Sequence, residues 1–234
     1  MTETKRAIVT GAGSGVGRAV ALRMAGEGWH VAIVGRTQAT LEETQRLAEA
    51  NSSRISVHAC DIGDASAVAK MVSEIGDVSA LVNNAGTNIP RRQLTELSVA
   101  DFQEVMDANL NGAFYLVREV LPSMRKRGRG TIVNVISDAG LFANAKSGAA
   151  YVASKFAMTG LTQTINAEER GNGIRACGVF PGEIATPLLD KRPSPPPMEA
   201  RAKMLQPEDL ADCVMLCINL PERAVVEQLL VRPR

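Results

Sequence analysis

Short apolar runs rich in β-branched residues alternate along this chain with longer amphipathic stretches, and that alternation restricts the fold more than any other feature. The strand candidates are residues 6–10, 30–34, 55–60, 80–83, 130–136, 174–180 and 228–231. Between them the spacing predicts helices over 15–27, 40–50, 65–75, 99–127, 149–170 and 207–219. Alternation of this kind argues for a parallel sheet with helices on both faces. The strands read as continuous apolar runs, as expected of strands covered on both sides. The expected fold is α/β, one doubly wound domain over residues 1–234, because 234 residues suffice for one such domain and are few for two.

Composition narrows the function classes. The formal net charge is +1, which gives no reason to expect nucleic acid or an anionic membrane as a partner. No apolar run reaches the ~18 residues of a membrane span. The polar N-terminus, residues 1–6, has no signal-peptide pattern, so the expected location is cytoplasmic. Cys60, Cys177, Cys213 and Cys217 are scattered, and His30 and His58 are the only histidines. That spacing suits buried reduced thiols and predicts no metal site.

Four loops carry the candidate chemistry, and each follows a strand. Thr10-Gly11-Ala12-Gly13-Ser14-Gly15-Val16-Gly17 links the first strand to the first helix. Glycines there permit a tight turn and let backbone N–H groups approach a pyrophosphate at the helix N-terminus. The spacing is Gly11-x-x-x-Gly15-x-Gly17, not G-x-G-x-x-G. Asn83-Asn84-Ala85-Gly86 ends the fourth strand, Ser137 the fifth, and Pro181-Gly182-Glu183-Ile184-Ala185-Thr186 the sixth. In a parallel sheet all four open on one edge, where ligands bind. Tyr151 and Lys155, four apart on a predicted helix, share a face. An ammonium beside a phenol lowers the phenol's pKa from about 10 toward a useful range. Residues 187–206 contain Arg192-Pro193-Ser194-Pro195-Pro196-Pro197 and read as a plain connection or a mobile lid; their start at the same edge favours the lid.

The ordered set Thr-Gly-x-x-x-Gly-x-Gly, Asn-Asn-Ala-Gly, a helical Asn, Ser, Tyr-x-x-x-Lys and Pro-Gly-x-x-x-Thr resembles the short-chain dehydrogenase/reductase family over nearly the whole chain. The resemblance implies a Rossmann-type fold with a mostly parallel seven-stranded sheet. It also implies an NAD(P)-dependent oxidoreductase that interconverts a secondary alcohol and a ketone or aldehyde. By the same resemblance Asn109 anchors a water in a proton relay, Ser137 hydrogen-bonds the substrate oxygen and Tyr151 is the general acid/base. Lys155 binds the nicotinamide ribose and lowers the tyrosine pKa. The implied cofactor contacts are Gly11, Gly13, Ser14, Gly15, Val16 and Gly17 in the glycine loop. Asp61 and Ile62 lie beside the adenine, Asn83, Ala85 and Gly86 follow the fourth strand, and Pro181, Gly182, Ile184 and Thr186 lie near the nicotinamide. Asn88, Ile89, Asp138, Leu141, Phe142, Lys146, Glu183, Leu188 and Leu189 are the expected pocket residues.

Family alignment puts Gly35 where NAD-selective members carry Asp, and Arg36 follows it. A guanidinium suits a 2′-phosphate, so NADP(H) is favoured over NAD(H). Ser14 stands where many NADP-selective relatives carry a second basic residue, which makes the expected preference modest. The interval from Ser137 to Tyr151 is one residue longer than usual, and the C-terminal ending resembles the branch that includes serine and 3-hydroxy acid dehydrogenases. A homo-dimer or homo-tetramer through the long helices 99–127 and 149–170 is implied. The rival reading, a non-catalytic dinucleotide-binding sensor, would be expected to lack part of the Asn, Ser, Tyr and Lys set, and all four are present.

Overall fold

Seven strands form one sheet in the computed structural model, which describes residues 5–234. The strands are β1 (Arg6–Thr10), β2 (His30–Gly35), β3 (Ile55–Ala59), β4 (Ala80–Asn83), β5 (Gly130–Val135), β6 (Ile174–Pro181) and β7 (Gln228–Val231). Their order is β3-β2-β1-β4-β5-β6-β7, and every neighbouring pair is parallel. The expected mostly parallel, doubly wound sheet is thus parallel throughout. The expectation for the N-terminus falls partly on residues 1–4, which lie outside the described residues.

The helices are α1 (Gly15–Gly26), α2 (Gln38–Leu47), α3 (Ala65–Ile75), α4 (Val99–Met106), α5 (Gly112–Arg127), α6 (Ala149–Glu169), α7 (Met198–Arg201) and α8 (Pro207–Asn219). Val20 and Met24 of α1 and Leu210 and Val214 of α8 join one core cluster. Val68 of α3, Leu116 and Val120 of α5 and Ile165 of α6 join the other. Apolar strands are therefore covered on both sides, as their unbroken hydrophobicity requires.

Local chemistry sets the helix starts. Asp64 accepts the Ser66 and Ala67 N–H groups before α3, and Ser98 accepts that of Asp101 in α4. Gln206 and Asp209 form a reciprocal cap around Pro207 at the start of α8.

Three segments depart from the expected pattern. The predicted helix 40–50 is α2 followed by a 3-10 turn, Glu49–Arg54. The predicted helix 99–127 is interrupted by a π turn, Asp107–Asn111, between α4 and α5. Residues 187–206 hold more regular structure than their prolines suggest: a 3-10 turn over Pro187–Lys191, then α7, with a parallel bridge between Ile184 and Leu205.

A side chain completes the sheet where β7 begins. Ladder pairing with β7 starts only at Gly178 of β6. Two residues earlier, the Asn166 amide of α6 donates to the Ala176 carbonyl at 2.8 Å and accepts the Ala176 N–H at 2.7 Å. Asn166→Ala leaves both buried backbone groups unpaired, each costing roughly 1–3 kcal/mol. Urea denaturation should show a stability loss of about 2 kcal/mol or more. A loss below about 0.5 kcal/mol would mean that water replaces the amide.

Candidate functional site

A cleft of about 520 Å³ opens beyond the carboxyl ends of the strands, where β1 and β4 lie side by side and the chain order reverses. One end is the glycine loop. Gly11 has φ +64, and a Cβ there would stand 2.9 Å from Ala85 Cα. Gly15 has φ +50, and a Cβ there would stand 3.2 Å from Thr186 Cγ2. Side chains at either place would fill the cradle and strain the turn. Unlike α3, α4 and α8, helix α1 has no side-chain cap, and its first turn carries no acidic residue. Its first N–H groups and the positive end of its dipole therefore face the cleft, and the cradle fits a dinucleotide pyrophosphate.

The strand ends are locked together behind this cradle. The Thr10 hydroxyl accepts the Asn84 and Ala85 N–H groups, each at 3.0 Å, and donates to the Val82 carbonyl at 3.4 Å. The π turn carries Asn109 inward. Its side chain accepts the Thr87 N–H at 2.7 Å and donates to the Thr87 carbonyl and the Ser154 hydroxyl, each at 3.0 Å. One residue thereby ties the loop after β4 to α6. Between them lies Gly86, where a Cβ would stand 3.3 Å from Asn109 Oδ1 and 3.5 Å from Lys155 Nζ.

Tyr151 and Lys155 sit on one face of α6 with the ammonium 5.4 Å from the ring centroid. The Tyr151 and Ser137 side chains line the same cleft. Ser137 Oγ accepts the Ala139 N–H at 3.1 Å, which fixes its direction. Lys155 is 4% exposed, and its hydrogen bond to the Val135 carbonyl is long, 3.4 Å. Burial lowers its pKa to about 8.

Charges beyond Lys155 also act on the phenol. The phenol is held above its ordinary value, first by burial, against the pull of the Ser137 hydroxyl; Asp138 adds to the rise, and Arg192 and Arg92 oppose it. Among these charges, those that favour the phenolate are guanidiniums.

Residues 5–196 match the short chain dehydrogenase family. The chain belongs to the short chain dehydrogenases. It is 36% identical over 220 residues to a fatty acyl-CoA reductase of Acinetobacter baylyi, covering 92% of this chain and 72% of the relative. An alcohol dehydrogenase from the archaeon Thermococcus sibiricus, solved with 5-hydroxy-NADP, superposes with TM-score 0.86 at 28% identity, covering 99% of this chain and 97% of that one. The closed form of a serine dehydrogenase complexed with NADP+ gives TM-score 0.87 at 27% identity, covering 97% and 94%. This short chain dehydrogenase accordingly has a nicotinamide dinucleotide site, and the cradle at α1 suits it.

The cleft of this dehydrogenase brings together Gly11, Ser14, Gly15 and Val16 with Ala85 and Gly86, Ser137, Tyr151 and Lys155, and with Pro181, Gly182, Ile184 and Thr186. Other predicted residues stand outside its walls. Gly17 packs against the Gly11 carbonyl and the Asn84 amide, and Gly13 against Thr40. Asn83 is 4% exposed, and its amide donates to Asn134 Oδ1 at 2.9 Å. Asp61 Oδ1 accepts the Gly63 N–H at 3.0 Å, while Ile62 lies against Gly112. Arg36 is exposed just beyond β2. Asn109 supports the wall from behind.

Of the expected pocket residues, Asn88, Asp138, Lys146, Glu183, Leu188 and Leu189 line the cleft. Ile89 and Leu141 belong to packed apolar clusters, and Phe142 is exposed beneath Arg232. Sequence reasoning missed Arg92 and Arg192, both cleft residues. Arg92 lies in Pro90-Arg91-Arg92-Gln93, which has the look of an ordinary polar loop.

The buried amine predicts a conflict between stability and binding. A folded-state pKa of about 8 against an ordinary 10.5 means that the charged form opposes folding. The cost is full below pH 8, fades between the two values and is absent above 10.5. By linkage it is about 3 kcal/mol at neutral pH. Lys155→Met should therefore raise stability at pH 7, lose most of that gain by pH 10, and weaken dinucleotide binding. A variant less stable than wild type at pH 7 by urea denaturation contradicts this.

Proposed function

We propose that this dehydrogenase interconverts a secondary alcohol and a ketone or aldehyde, with NADP(H) preferred over NAD(H). The observation that carries the reading is that Ser137, Tyr151 and Lys155 meet at one end of a cleft whose other end is the glycine cradle. A nicotinamide cofactor held by the glycine cradle and Lys155 would supply hydride for reduction of the carbonyl carbon, or accept it in the reverse direction. Ser137 and Tyr151 hydrogen-bond the carbonyl oxygen, and Tyr151 passes its proton to that oxygen as negative charge develops. A phenol with a raised pKa is protonated at neutral pH, the form that reduction needs. Lys155, with only one long hydrogen bond of its own, would hold the cofactor ribose. Asn109 and Lys155 border the space at Gly86, through which a water returns the proton.

Tyr151→Phe should lower turnover with a carbonyl panel about 10²–10⁴-fold while leaving the cofactor dissociation constant unchanged. A variant keeping more than about half of the wild-type rate removes Tyr151 from this role.

The NADP(H) preference rests on the end of β2. Gly35 offers no carboxylate to a ribose 2′-hydroxyl, and the exposed Arg36 follows it. The solved relatives bound to NADP-type cofactors support the same choice. Arg36→Asp should move kcat/KM toward NADH, and a wild-type enzyme faster with NADH than NADPH refutes the preference.

Residues 187–206 act as a substrate lid in this reading, since Pro187, Leu188, Leu189 and Arg192 wall the cleft. Phe114 on α5 and Phe156 on α6, 46% and 43% exposed, favour a homo-oligomer formed through those helices. Among the described residues no helix is long and apolar enough to cross a membrane.

A further inference from the structure

The substrate end of the cleft carries more positive charge than alcohol–ketone chemistry requires. Arg92 lines it and is only 6% exposed. Its Nε donates to the Ile89 carbonyl at 2.8 Å, Nη1 to the Lys146 carbonyl at 3.4 Å and Nη2 to the Lys191 carbonyl at 2.9 Å. All three acceptors are neutral, and among the described residues no carboxylate pairs with this guanidinium. A guanidinium has five N–H donors, so one remains on each terminal nitrogen.

The neighbouring charges do not cancel it. Arg192 pairs with Glu183 at 2.8 Å, and Lys146 shares the same carboxylate. Asp138, the other acid in this wall, faces Arg232 at 3.6 Å. With Asp138 paired to Arg232, the cations Arg92, Lys146 and Arg192 stand against Glu183 alone, and the wall keeps an excess of positive charge. A buried cation without a counter-charge is costly to keep. A ligand that brings an anion removes that cost.

We propose that the substrate is an oxo or hydroxy acid whose carboxylate is held between Arg92 and Arg192, beside Tyr151. The proposal rests on the alcohol–ketone reading of the site. Both guanidiniums line the same cleft as Tyr151, so an acid group bound there shares the cavity with the reacting carbon. The planar donor fork of arginine matches two carboxylate oxygens at once. Arg192 belongs to the segment after β6, and the carbonyl beside it, that of Lys191, is already held by Arg92. A bound carboxylate therefore joins the loop after β4 to the lid.

Calorimetric titration of the NADP+-loaded protein with 3-oxobutanoate and with neutral 3-oxobutanamide reads binding without hydride transfer. The acid should bind about tenfold tighter or more, and Arg192→Gln should remove most of that preference. Arg92→Gln should do the same; if its three carbonyl contacts prove essential for folding, Arg192→Gln decides alone. Hydrogen exchange over residues 187–206 should slow with the acid and not with the amide. Dihydroxyacetone phosphate should show a smaller preference over dihydroxyacetone. Equal binding of acid and amide, a preference that survives Arg192→Gln, or a larger preference for the phosphate overturns the proposal. Selective acid binding with no turnover of any carbonyl compound would instead sink the alcohol–ketone reading and leave the anion site standing.

Discussion

The Thr10 hydroxyl holds the ends of β1 and β4 together, and the cleft depends on that junction. It is 1% exposed, accepts two backbone N–H groups and donates to a carbonyl, so its hydrogen-bonding capacity is fully used. The Asn84 side chain reinforces it by donating to the Thr10 carbonyl at 3.0 Å. The chain departs from β1 and from β4 toward opposite faces of the sheet, so a gap must open there. Fixing the gap's two lips relative to one another gives it a definite width. A second polar chain, from Asn83 to Asn134 to Thr162, crosses β4 and β5 and anchors α6, the helix that carries Tyr151 and Lys155.

Around that rigid junction the molecule tolerates arrangements that weaken it. A protonatable amine is almost fully enclosed with one long hydrogen bond. A guanidinium lies in the cleft wall with only neutral carbonyls for partners. Helix α1 begins without a side-chain cap. Each is unfavourable in isolation, and each faces the same cavity. The enclosed amine and the unpaired guanidinium, facing one cavity, distinguish a site from a core.

Much of this was legible in the residues. Strand–helix alternation anticipated all seven strands and the parallel pairing, because a fully covered sheet forces continuous apolar runs. The glycine loop and the Tyr151–Lys155 spacing were legible because they are local: a turn and one helical face. The charge on the phenol was not, since burial, Arg92 and Arg192 reach Tyr151 only through tertiary structure. Arg92 comes from a loop 59 residues before Tyr151 and Arg192 from a segment 41 residues after it. Arg91 and Arg92 are adjacent in the chain, yet Arg91 makes a loose surface ion pair with Asp101 while Arg92 is buried. The π turn was invisible for a related reason: its residues suit an ordinary helix, and only the pull of Thr87 and Ser154 on Asn109 favours the wider turn.

That turn sets a limit on rational redesign of this scaffold. A procedure that idealises secondary structure would see an uneven helix between Val99 and Arg127 and delete one residue to regularise it. The backbone would gain uniform i to i−4 bonding, and every side chain before the deletion would rotate by about 100° relative to those after it. Asn109 would swing off the loop after β4, and Ser154 and the Thr87 backbone would lose their shared partner. Regularity of the helix and integrity of the cleft are competing objectives in this chain, so a score that rewards the first would select against the second.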